Sequence, residues 1–270
     1  MTARGTINGR EAFMQNIANR LGRKQPQTAA PARPFVGVPE HYAAISLSED
    51  EKIDLFIQNW SALNGKVLIV DRHEAAEAIQ AYIGEVCAEL GVTRVARWEH
   101  EALAGLGLDE PLKQRGVDVL PWKPLDEVPD WAARAREAAL AQQPGSGGSD
   151  AASNWSKRSP LLRAAETCQM GIVWPDYAIA NTSTLALLAH GGRGRSVSLV
   201  TTVLMAIFRA DQLVTRMGEA FEQIRSQYAG DEPLPSSLNL ITGPSRSADI
   251  ENDLTIGIHG PGKVYAVIIK

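Results

Sequence analysis

Three short stretches carry side chains able to handle a small anion. In "LITGPSRSADIENDLTIGIHGP", residues 240–261, Ser245, Arg246 and His259 stand between two apolar runs. A strand over Leu238 to Thr242 runs into Gly243-Pro244, after which Ser245 or Ser247 is placed to cap a helix with Asp249 in its first turn. Arg246 beside the free amides of such a helix start makes an anion site, and His259 could carry a proton or donate a hydrogen bond. The same stretch also reads simply as a capped helix between strands. The second stretch is the tetrad Asn181, Thr182, Ser183 and Thr184. Three hydroxyls and an amide between apolar runs are costly to bury unpaired, so they either satisfy backbone at a strand end or face a polar ligand. The third is "GGRGRS", where glycines let backbone approach an anion and Arg193 and Arg195 could grip a carboxylate or phosphate through paired hydrogen bonds. It lacks the Gly-Lys-Ser/Thr ending of a P-loop, and an exposed hairpin turn is its other reading. Together the three suggest one substrate or anion pocket at strand ends, where Arg246 and His259 converge with Thr182 or Ser183. His259 is the only catalytic candidate among them.

Elements must bring these residues together. Phe13, Ile17 and Leu21 recur every four residues, which gives residues 1–23 an amphipathic helix whose stripe asks for a partner surface. Four prolines make residues 24–47 a linker. From residue 48 onward the pattern is α/β. Ser48 and Glu51 have capping-box spacing ahead of Ile53, Phe56, Ile57, Trp60 and Leu63. "KVLIV" reads as a buried strand, His73 to Leu90 as a helix stopped by Gly91, "VTRVARW" as a strand, "LDEPLKQRG" as a short helix and "VDVLPW" as a strand. This alternation predicts a twisted, mostly parallel sheet flanked by helices, with ligands gathering at the carboxyl ends of its strands. Trp131 to Gln143 reads as a helix, and residues around 143–158 as a loop or disordered insertion. Further on, "MGIVW", "RSVSLV", Leu238 to Thr242 and "KVYAVIIK" read as strands, and Asp211 to Tyr228 as a helix.

Composition narrows the function. A chain of 270 residues with 44% hydrophobic content can bury one large core. Its 27 basic residues are dispersed among 31 acidic ones, so no nucleic-acid partner is expected. The longest apolar windows fall short of the roughly 18 residues a membrane span requires. Arg4 and Arg10 have no apolar run behind them, and a cytoplasmic location is expected. Two distant cysteines, Cys87 and Cys168, and no paired-histidine spacing predict neither an iron–sulfur cluster nor a zinc site in this chain, while any other cofactor stays unknown. No GxSxG announces a serine hydrolase. Redox chemistry would have to run through a partner or a loosely bound cofactor.

"AIANTSTLAL", "GRGRSVSLV" and "ITGPSRSADIENDLTIGIHGP" resemble, in order and spacing, the signature of the LUD-domain family, most strongly from Met170 to Lys270. The resemblance implies a fold like that of the NagB, ribose-5-phosphate isomerase and CoA-transferase group. It also implies a part in lactate utilization, the oxidation of L-lactate to pyruvate beside two iron–sulfur partner proteins. This chain departs from the family pattern at two places. The family usually reads Glu-Thr-Gly-Thr where the tetrad begins with Asn181, and prolines where Thr201 and Thr202 stand. A transferase that forms an acyl anhydride needs a carboxylate nucleophile, and the Asn181 amide cannot supply it. A stand-alone sugar-phosphate or acyl-CoA enzyme on this fold, and a non-catalytic assembly subunit, are the alternative expectations.

Overall fold

The structure is a computed structural model and describes residues 8–27, 29, 45–124, 127, 159–230, 233–248 and 254–270. The helix expected over 131–143, the insertion at 143–158, most of the linker and Asp249 lie outside these residues. The chain divides into two compact units, Met1–Ile45 and Ser46–Lys270. Among the described residues, the first holds one helix, α1 (Arg10–Arg20), with Phe13, Ile17 and Leu21 exposed.

The second unit opens with α2 (Glu49–Ala62), whose Ser48 and Glu51 form the expected capping box, each satisfying a backbone amide of the other's residue. Then follow β1 (Lys66–Val70), α3 (Ala75–Leu90), β2 (Arg94–Arg97), the short helices α4 (Glu101–Gly105) and α5 (Asp109–Gln114), and β3 (Asp118–Pro121). After α6 (Pro160–Ala165) come β4 (Met170–Val173), β5 (Tyr177–Ile179), a 3-10 turn (Ala180–Thr182) and β6 (Thr184–Ala189). The remainder is α7 (Ser196–Leu199), β7 (Val203–Arg209), β8 (Leu213–Val214), α8 (Met217–Gln227), β9 (Ser237–Thr242), β10 (Arg246–Ser247), β11 (Thr255–Ile256) and β12 (Lys263–Ile269).

Six strands form one parallel sheet in the order β1-β12-β7-β4-β2-β3. Its middle strands are the continuous apolar runs, buried from Met170 to Val173, from Val203 to Phe208 and from Val264 to Ile269, as strands covered on both faces must be. A four-stranded mixed sheet, β8-β5-β6-β9, packs beside it, and β10 pairs with β11 as a small antiparallel ribbon. The helix α2 is seated by Phe56, which stacks on Trp60 (centroids 5.4 Å apart) and meets the edge of Phe208 on β7.

Three expected elements differ. "RSVSLV" is not a strand. Ser196–Leu199 coil into α7, and the Ser198 hydroxyl donates to the Arg195 carbonyl at 3.0 Å, the local bonding by which serine competes with a sheet ladder. Asp211 to Tyr228 is a helix only from Met217, because Leu213–Val214 pair with β5 as β8. Among the described residues, no helix starts after Gly243-Pro244. Arg246 and Ser247 instead extend as β10, paired with Ile256 and Thr255, so Ser245 caps no helix and Arg246 stands in a strand.

Candidate functional site

The three stretches fall into two groups at opposite ends of the parallel sheet. The first group gathers where the strands begin. Asn181 and Thr182 form the 3-10 turn between β5 and β6, and Asn59 of α2 holds it by donating to the carbonyls of Ala180 (3.1 Å) and Asn181 (3.0 Å). Ser183 follows in left-handed backbone (φ 44°), fully buried, and neither its hydroxyl nor the buried Asn181 Oδ1 has a hydrogen-bond partner among the described residues. Thr184 donates from Oγ1 to Thr182 Oγ1 at 2.8 Å and shares a 2.7 Å hydrogen bond with Thr242 Oγ1, its cross-strand neighbour on β9.

Beyond Thr242 the chain turns at Gly243 (φ 70°), where a Cβ would press on the Leu63 side chain. Arg246 then donates from Nη2 to the Leu63 carbonyl at 2.9 Å, and the Ser245 amide donates to the Pro261 carbonyl at 2.8 Å. The tetrad, Ser245 and Arg246 are thus gathered around the end of α2. His259 lies two residues from Pro261 and is exposed. Leu63, Thr202 and Pro261 all precede strands of the parallel sheet, so this group sits at its amino ends. A cleft of about 450 Å³ opens along the same edge, with Gln169, Thr202, Gly257 and Lys263 in its wall. The Thr202 hydroxyl donates to the Gln169 carbonyl (3.0 Å), and the buried Thr201 hydroxyl to carbonyls of Val197 and Val203 (3.1 Å each).

Arg193 and Arg195 are not in that group. They follow β6, whose five residue steps from Thr184 to Ala189 carry the chain about 17 Å away. This loop is not a hairpin turn; it lies against the carboxyl ends of β2 and β3. The Gly192 carbonyl accepts from the Glu99 amide (2.8 Å) and the Gly194 carbonyl from Trp98 Nε1 (2.9 Å). A Cβ at Gly194 would overlap the Trp122 ring, and Gly192 has φ 77°. The glycines therefore serve close packing against Glu99 and Trp122. Between them, Arg193 donates from Nη1 to Asp176 Oδ1 at 3.1 Å, and Asp176 Oδ2 accepts from the Leu188 amide at 2.8 Å. Burial pushes the Asp176 carboxyl up, against the pull of the Leu188 amide and Arg193. Arg195 is exposed and offers its carbonyl to α7.

The carboxyl ends also hold residues that no motif in the sequence singled out. His100, three residues past β2, stacks on Trp174, the residue after β4, with centroids 5.6 Å apart and planes 20° apart. Burial, then the cations of Arg193 and Arg209, push its imidazole down to about 4. Arg209 closes β7 and donates from Nε to Asp211 at 3.1 Å. The one legible signal for these residues is position, immediately after predicted parallel strands, where α/β sheets collect ligands. Among the described residues, no three His, Cys, Asp or Glu side chains gather as a metal site would require, and no helix is long and apolar enough to cross a membrane.

Comparison with known proteins gives this arrangement a lineage. Lactate utilization protein C of Shouchella clausii is 30% identical over 264 residues, 97% of this chain and 98% of the relative. The proteins of the same name from Halalkalibacterium halodurans and Bacillus subtilis are 28% and 26% identical, each spanning 98% or more of both chains. A solved DUF162 family protein from Deinococcus radiodurans, 18% identical, covers 83% of this chain and 100% of that chain with a TM-score of 0.49. The LUD domain model matches residues 53–269. This span takes in both groups of side chains and every strand of the three sheets, and the chain belongs to the LUD domain family.

Proposed function

We propose that this protein takes part in L-lactate utilization, as a component of the system that oxidises L-lactate to pyruvate together with iron–sulfur partner proteins. The observation that carries the reading is end-to-end collinearity with three proteins named lactate utilization protein C, at 97% or more of this chain. The side-chain chemistry is consistent with it. Substrate and product are small carboxylates, and the arginines after β6 and at the end of β7 offer the paired donors such an anion needs. Both cysteines are buried and their thiols are pushed up, Cys87 to about 11 and Cys168 to about 12. Such thiols are poor metal ligands and poor nucleophiles, so the electron acceptors are assigned to the iron–sulfur partners. In a cytoplasm-based complex of this kind the chain supplies binding and orientation.

The test is genetic. In a host with no other L-lactate oxidase, deletion of the gene is expected to abolish growth on L-lactate and leave growth on pyruvate intact, with restoration from a plasmid copy. Undiminished growth of the deletion strain on L-lactate refutes the proposal.

A further inference from the structure

We infer that His100, Arg193 and Arg209 form the binding site for a small carboxylate bearing a second oxygen beside its carboxyl group, a 2-oxo or 2-hydroxy acid. The guanidiniums take the carboxylate and the His100 Nε2–H takes the second oxygen. The location stands on the geometry alone, whereas the choice of acid rests on the functional reading above.

Three strand ends converge here. His100 follows β2, Trp174 follows β4 and Arg209 ends β7, and these strands are neighbours in the parallel sheet. The loop bearing Arg193 is pinned beside His100 by the bond from the Glu99 amide to Gly192. The His100 ring has a fixed orientation and tautomer. Its Nδ1 accepts from the Ala102 amide at 3.1 Å and its face lies on Trp174, so the proton sits on Nε2. No described residue bonds that Nε2. The cations are held but not spent. Arg193 gives Nη1 to Asp176 and Arg209 gives Nε to Asp211, and their remaining terminal donors have no partner among the described residues.

Capping alone does not account for a histidine at this position. Asparagine caps a helix start better, and neither the stacked ring nor the outward Nε2–H is needed for it. With its low proton affinity the ring stays neutral near pH 7. It is therefore a hydrogen-bond donor to an uncharged carbonyl or hydroxyl oxygen rather than a competing charge for the carboxylate. A neutral donor beside two cations distinguishes a 2-oxo or 2-hydroxy acid from a plain carboxylate.

Isothermal titration of the purified full chain tests this with pyruvate, L-lactate, acetate and inorganic phosphate. Pyruvate or L-lactate is expected to bind saturably, with acetate and phosphate about tenfold weaker or more. His100→Asn keeps an acceptor for the Ala102 amide and removes the Nε2–H, and it is expected to weaken pyruvate binding about tenfold while leaving acetate binding unchanged. The inference is overturned by equal affinity for pyruvate and acetate, by tighter binding of phosphate, by no binding of either acid, or by a His100→Asn variant that binds as the parent does. Should His100→Asn not fold, Arg209→Gln, altered on an exposed side chain, decides, since unchanged pyruvate affinity there overturns the site. The two readings fail separately. Growth on L-lactate without the gene, with pyruvate binding still dependent on His100, refutes the function and leaves the site. Loss of growth, with binding indifferent to His100, does the reverse.

Discussion

Ser183 holds two unfavourable features at one residue, a left-handed backbone and a buried hydroxyl with no partner among the described residues. Each costs on the order of 1 kcal/mol or more. Ser183→Gly is expected to raise stability by about 1 kcal/mol, the relief exceeding the extra freedom glycine gives the unfolded chain; urea unfolding followed by circular dichroism would show a lower midpoint if the strain is not real. His100 gives a pH-dependent counterpart. Folded, it stays neutral down to about 4, whereas its ordinary value is 6.5, so the unfolded chain binds more protons between those pH values. The contribution of His100 is whole above the unfolded value and is lost as pH falls toward the folded one. Unfolding free energy should therefore drop between pH 7 and pH 4.5, roughly the window in question, and less steeply in His100→Asn; identical slopes in the two proteins would contradict the assignment. At this scale the sequence showed that the tetrad contains costly polar groups, but not that two of them would find no partner among the described residues, because that depends on neighbours from α2 and β9. It also showed nothing of His100, a lone histidine whose meaning comes from Trp174, 74 positions away.

Elements were legible where an apolar period and a stop signal coincided. α3 ends at Gly91 in left-handed backbone (φ 64°), and β1, β4 and β12 are the short runs rich in branched residues. The pattern departs from the structure where hydroxyls and glycines let backbone bond locally, as in α7, or where a turn residue fits two turns, as after Gly243-Pro244. Two tests belong here. Gly171 on β4 is packed so closely under α7 that a Cβ would collide with the Val197 carbonyl oxygen. Gly171→Ala is expected to cost about 3 kcal/mol, and a loss under half of that in chemical denaturation would mean α7 is free to move. β1 pairs with β12 and with no other described strand, so residues 66–70 have no sheet neighbour until residues 263–269 arrive. Removing residues 262–270 is expected to abolish cooperative unfolding altogether, and a truncated chain that still melts in one sharp transition would contradict that role for β12.

On the scale of the whole molecule, the α/β class and the parallel sheet followed from alternating strand and helix patterns, but the strand order did not, because nothing local records that β12 inserts between β1 and β7. The expected single pocket divided for the same reason. Thr184 and Arg193 are nine positions apart, yet β6 lies between them and carries them to opposite ends of the sheet. The molecule has a polar, strained turn at the amino ends of the sheet and a cationic, histidine-bearing surface at the carboxyl ends. The proposed part of this protein in L-lactate oxidation is tested most directly in cell extracts of the deletion strain, by L-lactate-dependent reduction of an artificial electron acceptor with and without the purified protein. The rate is expected to be at background without the protein and to rise in proportion to the amount added. A full rate in the unsupplemented extract would contradict it.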